Sequence, residues 1–573
     1  MSDSLPLSAP PGFRGAFRTD LPARAAYSEA AGIARITPRA VAVPADAADV
    51  VALVAWAHAT GTPLIPRGSG SSMAGGAIGD GVIVDLSRLD AIGPIVRVLP
   101  SAPPIRRDGL SPTAVARVSV GPGALRNAVD HAAANGGLRF PVDPSSGAYC
   151  TVGGMAATNA AGAHTLRCGS MRAWVIGLEC VFDDGSRAWV RRGEPAPARV
   201  PAVARLLTWG ATALQGEAAI PRRPGVRKNS SGYALAAWAD SGELVDLLVG
   251  SEGTLALFVQ MELALEPRPG HSASVLAGFA SLEDAVIAAA CAREVGAAAC
   301  ELLDRTFLEV AAQGPAPLPV PVESEAALLI EVERDTESAA QVLAARIDAD
   351  CWAAGATHVT TALTRRDEDS LWALRHAASP ILAALDPALA SMQFIEDGCV
   401  PPYRLAEYVR GVRAALDRQG IRGVIFGHAG DAHVHVNPLI DLRRPTWRTE
   451  ITALLAEVAQ LTRELGGTLS GEHGDGRLRA PLLADNWGAG PAALFAAVKH
   501  AADPIGIFNP GAIVPLPGQT ALADVKYDPA LPALPPAARR ALDTVAATRG
   551  YARSRLQLVD DATASLSGTT PGA

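Results

Sequence analysis

Short apolar runs broken by glycine-rich turns occupy the chain from about Arg35 to Glu266. AVAVP, TPLIP, GVIVDL, ARVSV and WVIGLECVFDDG read as strands, because Gly-Asp-Gly and Asp-Asp-Gly beside such runs are turn signals. Two helices stand among them, over 46–60 and 123–136. From about His271 to Pro515 the period changes. Stretches rich in alanine and leucine at 282–296, 335–350, 367–387, 404–418 and 447–466 predict amphipathic helices. ALLIEVE, THVTTAL, SMQFIED, GVIFGH, AHVHVN and GTLSGEHG lie between them as strands. Helices alternating with strands predict an α/β layer on an antiparallel sheet. The edges are less regular. Residues 1–34 read as a leader packed on the surface, 98–115 as a surface insertion, and 516–573 as an extension with a helix at 536–548 and a strand-like SRLQLV. The fold class is α+β, in two main parts, 35–268 and 269–515.

Composition narrows the function classes. A chain of 573 residues with 49% hydrophobic and 19% charged residues buries large cores and is not disordered. Its net charge of −8 leaves no basic excess to neutralise phosphates, so nucleic acid is not the expected partner. No two of the seven cysteines form a CxxC, and the close set of thiolates that an iron–sulfur cluster needs is absent. They are expected to be reduced and buried. No signal-peptide core and no transmembrane-length apolar run is present, so a cytoplasmic protein is expected, with attachment at the inner face of a membrane left open. A homodimer is also left open.

Three small-residue segments carry the first candidate chemistry. Pro66-Arg67-Gly68-Ser69-Gly70-Ser71-Ser72-Met73-Ala74-Gly75-Gly76 lets backbone N–H groups converge on phosphate oxygens. It runs from one strand towards another, not from strand to helix, and Met73 stands where a third Rossmann glycine would fall. Downstream come Pro141-Val142-Asp143-Pro144, then Thr151 to Gly162 with Gly153, Gly154 and Asn159, where small residues suit a backbone pressed on a flat ligand. The third segment is Arg227-Lys228-Asn229-Ser230-Ser231-Gly232-Tyr233, followed by Gly250-Ser251-Glu252-Gly253. Each alone also fits tight packing without a ligand.

The second candidate chemistry is metal binding. GVIFGH and HVHVN read as two strands joined by an Ala-Gly-Asp turn, so alternation puts His433, His435 and Asn437 on one face, with His428 brought back beside it. Gly471-Glu472-His473-Gly474 supplies a carboxylate and another imidazole. Four of the 11 histidines fall in these two segments, which favours a divalent site such as zinc over unrelated structural histidines.

Together, in order and spacing, these segments resemble the FAD-binding domain of the vanillyl-alcohol-oxidase-type flavoproteins. The branch resembled holds glycolate oxidase D subunits, D-lactate dehydrogenases and D-2-hydroxyglutarate dehydrogenases, and the FAD half of fused FAD/iron–sulfur dehydrogenases. The likeness runs from about residue 20 to 515. It implies a two-part FAD-binding domain plus an α/β cap domain with an antiparallel sheet. It implies non-covalent FAD, because the first loop has neither His nor Cys, although His164 and Cys168 stand near the second. By resemblance, FAD lies along Pro66 to Ser72, Gly75, Pro141, Asp143, Thr151, Gly153, Gly154, Asn159, Gly162, Glu252 and Asn509, the last in the closing Asp503–Gly511 motif. His428, His435 and Glu472 match the metal ligands, and His473 the base. Arg375 matches the arginine that grips the substrate carboxylate, with Ser379 one turn on. His433 stands where relatives commonly have Asn, as an extra ligand or a substrate contact. Phe394-Ile395-Glu396-Asp397 lacks a lysine that some hydroxyglutarate-specific relatives carry. The implied activity is oxidation of a small D-2-hydroxy acid, of D-lactate or D-2-hydroxyglutarate type, with electrons passed to a separate iron–sulfur or quinone-linked partner. An oxygen-using oxidase, a zinc hydrolase without flavin and a non-catalytic subunit are the competing readings.

Overall fold

Three sheets carry the chain in the computed structural model, which describes residues 7–97, 114–216, 220–314, 317–384 and 388–567, with the side chains of 376–384 excepted. The first sheet holds β1 (Ala16–Arg18), β2 (Ala40–Val43), β3 (Leu64–Arg67) and β4 (Val82–Asp85), in the order β1-β2-β4-β3. The last three are parallel. β2 and β3 flank β4 and run parallel to it, so the chain crosses over between them, and the helix Ala47–Thr60 makes that connection. The Asp46 carboxylate caps its start, Gly61 in the left-handed region ends it, and Val50, Leu53, Val54 and Ala57 bury its inner face.

The second sheet is antiparallel. It contains β5 (Ile92–Arg97), β6 (Ala116–Val120), β7 (Leu138–Arg139), β8 (Val175–Val181), β9 (Arg187–Arg191) and β10 (Leu257–Pro267), ordered β5-β6-β10-β8-β9 with β7 on β10. The third holds β11 (His271–Phe279), β12 (Ala299–Asp304), β13 (Ala326–Arg334), β14 (Ala356–Ala362), β15 (Leu389–Ser391), β16 (Gly398–Cys399), β17 (Arg422–His428) and β18 (His433–Asp441). Its order is β14-β11-β13-β12-β17-β18-β15, all antiparallel, with β16 on β18. Leu328 and Ile330 pack towards the helices Leu282–Glu294, Glu337–Ala353, Leu405–Arg418 and Trp447–Glu464. Leu329 points the other way, with Leu303, Phe307 and Leu371. That second face also carries Glu301, Phe426, His428, His433, His435 and Asn437, so strand alternation gathers the candidate histidine ligands.

Several expectations are corrected. SRLQLV is not a strand: it opens the helix Arg555–Ser567, where Leu556 and Val559 at helical spacing bury one face. SMQFIED contributes only Ser391 to β15, and GTLSGEHG makes one isolated bridge, Thr468 to Cys399. Both segments bind each other instead of a strand: the Asp397 carboxylate takes the N–H groups of Glu472 and His473, and the Asp397 carbonyl takes that of Gly471. The stretch read as a surface leader is built in: β1 pairs with β2, Ala23 and Tyr27 are fully buried, and the Tyr27 hydroxyl donates to Asp85 at 2.5 Å. Of the expected insertion at 98–115, residues 98–113 lie outside the described residues.

Buried ion pairs tie the third sheet to the N-terminal half. Glu333 on β13 accepts from Arg139 and Arg167, and Asp431 from Arg227 at 3.0 Å. Burial raises the Glu333 carboxyl, but Arg139 more than offsets this and the group is lowered from 4.5 to about 2. A depressed carboxyl stabilises above its unfolded pKa and loses that stability as pH falls through the folded one. We expect about 3 kcal/mol to disappear between pH 4.5 and about 2 from this group. Acid unfolding of Glu333→Gln should lack that increment; an acid profile identical to that of the parent protein would refute the tie.

Candidate active site

One cavity of about 980 Å³ runs between the N-terminal half and the third sheet, at the upper end of ordinary ligand clefts. Pro66 and the run from Arg67 to Ser72 line it, as do Asp143, Thr151, Gly153, Gly154, Gly162 and Glu252. The loop after β3 turns at Gly70, whose φ of 77° suits glycine. Its carbonyls at Gly70 and Ser72 accept from the N–H groups of Ala31 and Gly32. The N–H groups of Ser69 to Ser72 find no acceptor among the described residues. Converging, unpaired donors of this kind fit a pyrophosphate. Gly68 is needed there, because a Cβ would stand 2.1 Å from Thr151 Oγ1.

Four of the sequence-predicted cofactor residues lie off the cavity wall, as do the histidine at 433 and Cys168. Gly75 and Pro141 sit behind it. Asn159 accepts from Arg172 N at 2.9 Å, and Asn509 donates to Gly76 O and Glu252 O at 3.0 and 2.8 Å. These asparagines brace the loops: both hold left-handed backbone, a conformation that Asn tolerates. The Cys168 thiol is buried and pushed up to about 12 by burial and by Glu266. His164 does line the cavity, but Asp143 holds its Nδ1 at 2.5 Å and Glu331 its Nε2 at 3.1 Å. Burial disfavours its charge, yet these two carboxylates lift it well above the ordinary imidazole range.

At the third sheet the cavity reaches His428, His435, Asn437, Glu472, His473 and Arg375. His428 Nε2 and His435 Nε2 are 3.4 Å apart, and each lies about as far from Glu472 Oε1, at 3.5 and 3.4 Å. A tetrahedral ion with bonds of about 2.0–2.1 Å separates its ligands by about 3.4 Å. The far nitrogens are fixed: His428 Nδ1 by Glu301 at 2.5 Å, and His435 Nδ1 by the Glu396 carbonyl at 2.8 Å. This second layer orients imidazole ligands in metal sites. His433 Nε2 is bound to Asp397 at 2.8 Å, and its Nδ1 is buried without a partner, 4.0 Å from Glu472 Oε2. Burial drives that ring down to about 3, so it is neutral. The residues therefore fit a divalent cation, with His433 fully buried behind the other ligands and not positioned to touch substrate.

Sequence reasoning left Glu301, Glu396, Asp397 and Lys228 without roles. Glu301 binds both His428 and, at 2.8 Å, Arg375 Nε; the Arg375 guanidinium also stacks over Phe426 at 4.5 Å. Lys228 Nζ reaches Glu472 Oε2 at 2.9 Å. The signal was a charged residue inside an apolar strand run, ACELLD, and the acidic pair in FIED. His473 Nδ1 lies 3.1 Å from Glu396, and its Nε2 is 3.8 Å from Glu472 Oε1. Burial lowers its pKa, but Asp397, Glu396 and Glu472 raise it to about 9. Asn437 accepts from Gln393 at 3.1 Å. Ser379 lies outside the described side chains.

Residues 38–191 match the family described as FAD binding domain, and 268–513 that described as FAD linked oxidases, C-terminal domain. The chain belongs to the FAD-linked oxidases. Among similar proteins, D-lactate dehydrogenase of Archaeoglobus fulgidus is 29% identical over 84% of this chain and 93% of its own. Glycolate oxidase subunit GlcD of Bacillus subtilis is 28% identical over 83% and 88%. D-2-hydroxyglutarate dehydrogenase of Pseudomonas putida is 28% identical over 88% of this chain and 51% of its own. The solved structure of 4-ethylphenol oxidase from Gulosibacter chungangensis, 17% identical, superposes with a TM-score of 0.61 over 87% of this chain and 94% of that one. The vanillyl-alcohol-oxidase-type fold expected from the loops is thus present. Among the described residues no helix is long and apolar enough to cross a membrane.

Removing the Glu301 carboxylate leaves Arg375 and His428 without their shared partner. Glu301→Gln should cost about 3 kcal/mol, the scale of a broken buried pair, read as a lower denaturant midpoint. An unchanged midpoint would show that the three groups are not coupled.

Proposed function

We propose that this FAD-linked oxidoreductase oxidises a small D-2-hydroxy acid to the 2-oxo acid, assisted by a divalent ion, with zinc the ion that two imidazoles and a carboxylate suit best. The observation that carries the reading is the ligand triangle of His428, His435 and Glu472 opening into the same cavity as the unpaired N–H groups of the glycine loop. The relatives named as D-lactate and D-2-hydroxyglutarate dehydrogenases support it. When bound, FAD supplies the two-electron acceptor and the ion the positive charge that makes a hydroxyl acidic.

The chain's own groups divide the remaining work. Arg375 is the group that binds the substrate carboxylate, with Glu301 and Phe426 fixing its plane. His473 takes the hydroxyl proton at Nε2, because Nδ1 faces Glu396. A base must be neutral to act, and an imidazole at about 9 is protonated at pH 7. A cation at Glu472 opposes that protonation twice, by neutralising the smallest of the three acidic contributions and by its own positive charge. Asn437 and Gln393 form the adjoining polar wall. FAD is held without a covalent tether: both His164 nitrogens are engaged, and Cys168 is behind the wall. All seven cysteines are free thiols and six are buried. Electrons leave to a separate iron–sulfur or quinone-linked partner.

The wall around Trp372 selects substrate size. It carries Glu331, Glu368 and Asp369. Its His164 is already held by Asp143 and Glu331, and its Arg365 is an exposed side chain 3.9 Å from Asp369. In this wall a second substrate carboxylate meets three carboxylates, which favours D-lactate over D-2-hydroxyglutarate.

Purified protein should carry flavin and about one divalent ion per chain, the latter lost in Glu472→Gln. Stopped-flow reduction by D-lactate should slow by at least about 100-fold in His473→Ala with flavin content unchanged. Full-speed reduction in that variant removes His473 from the mechanism, and a preference for D-2-hydroxyglutarate removes the size argument.

A further inference from the structure

The extension beyond residue 515 lies outside the stretch that matches the family, which ends at residue 513. It nevertheless lines the cavity, through Lys526, Tyr527, Ala546, Arg549 and Tyr551. It is attached to the segment that braces the glycine loop. Lys526 N donates to Ile33 O and Arg35 N to Asp524 O, both at 2.7 Å, while the neighbouring Ala31 and Gly32 bind the carbonyls of Gly70 and Ser72. The Tyr551 ring packs on Tyr149, another cavity residue, with centroids 5.2 Å apart and planes tilted by 31°. Behind it, Arg555 sits over the Tyr551 ring at 5.5 Å, buried, with Nε and Nη1 unpartnered. These contacts are on the side of the glycine loop, whereas His428, His435 and His473 belong to the side of the third sheet.

We infer that the C-terminal extension is a wall of the cofactor site and holds the adenosine diphosphate half of FAD. The inference rests on the FAD reading above. That half carries negative phosphates and a flat purine. Lys526 and Arg549 offer charge to the former, and the packed pair of Tyr149 and Tyr551 offers an aromatic surface to the latter. Flat bases gain substantially from aromatic contact. Arg549 is placed for this by the end of the helix Pro536–Thr548, where it holds left-handed backbone with φ 51°.

The test measures affinity of the apoprotein for FAD and for FMN by flavin fluorescence, and apoprotein unfolding midpoints, in the parent chain and in Tyr551→Ala, Tyr551→Phe and Arg549→Asn. Asn tolerates the left-handed backbone, so the last variant keeps the helix end. Tyr551→Ala and Arg549→Asn should each weaken FAD about tenfold or more while FMN binding and the midpoints stay unchanged, and Tyr551→Phe should bind FAD nearly as the parent does. Unchanged FAD affinity in both variants, or equal losses for FAD and FMN, overturns the inference and leaves the FAD reading intact. A parent chain that binds no FAD at all overturns that reading and the inference with it.

Discussion

Three imidazoles and a carboxylate share a buried volume, and each imidazole is held by the nitrogen that points away from it. Packing like this is costly when empty, because Glu472, Lys228, His428 and His433 have been taken out of water together. Lys228 offsets part of that cost as a direct partner of Glu472. The unpartnered His433 Nδ1 shows that the offset is incomplete. Most of the nearby structure serves this volume. β17 and β18 pair His428 with His433, and the irregular FIED and GEHG segments are knotted through Asp397.

The cluster also depends on the N-terminal half. Lys228 comes from that half, and so do Arg227 and Arg139, which hold Asp431 and Glu333. The glycine loop is placed by β3 and by the Ala31–Gly32 backbone. Cofactor groove and ligand cluster are therefore two ends of one cavity, fixed by the same seam of buried ion pairs. A change in the seam is expected to be felt at both ends.

Much of this was legible from the residues. Period-2 alternation placed His433, His435 and Asn437 on one face, and β18 puts them there. The helices Ala47–Thr60, Leu405–Arg418 and Trp447–Glu464 begin and end within a few residues of the patterns that predict them. What stayed hidden was partnership across long sequence distances. Nothing local says that Glu301 binds both Arg375 and His428, or that Asp397 binds the backbone of Glu472. SRLQLV misled because a short run alternating polar and apolar residues also fits a helix with one buried face. The asparagines at 159 and 509 bind loop backbone, and a residue that braces a ligand loop has the same local surroundings as one that touches the ligand.

The central claim is that flavin groove and ligand cluster act on one substrate. The most direct measurement is anaerobic titration of the flavin spectrum with D-lactate, in chelator-stripped protein and again after zinc is restored. Bleaching that disappears on stripping and returns with zinc, at constant flavin content, is the predicted result. Bleaching at the same rate with and without the ion would contradict it, and the His428–His435–Glu472 cluster would then have no part in the chemistry.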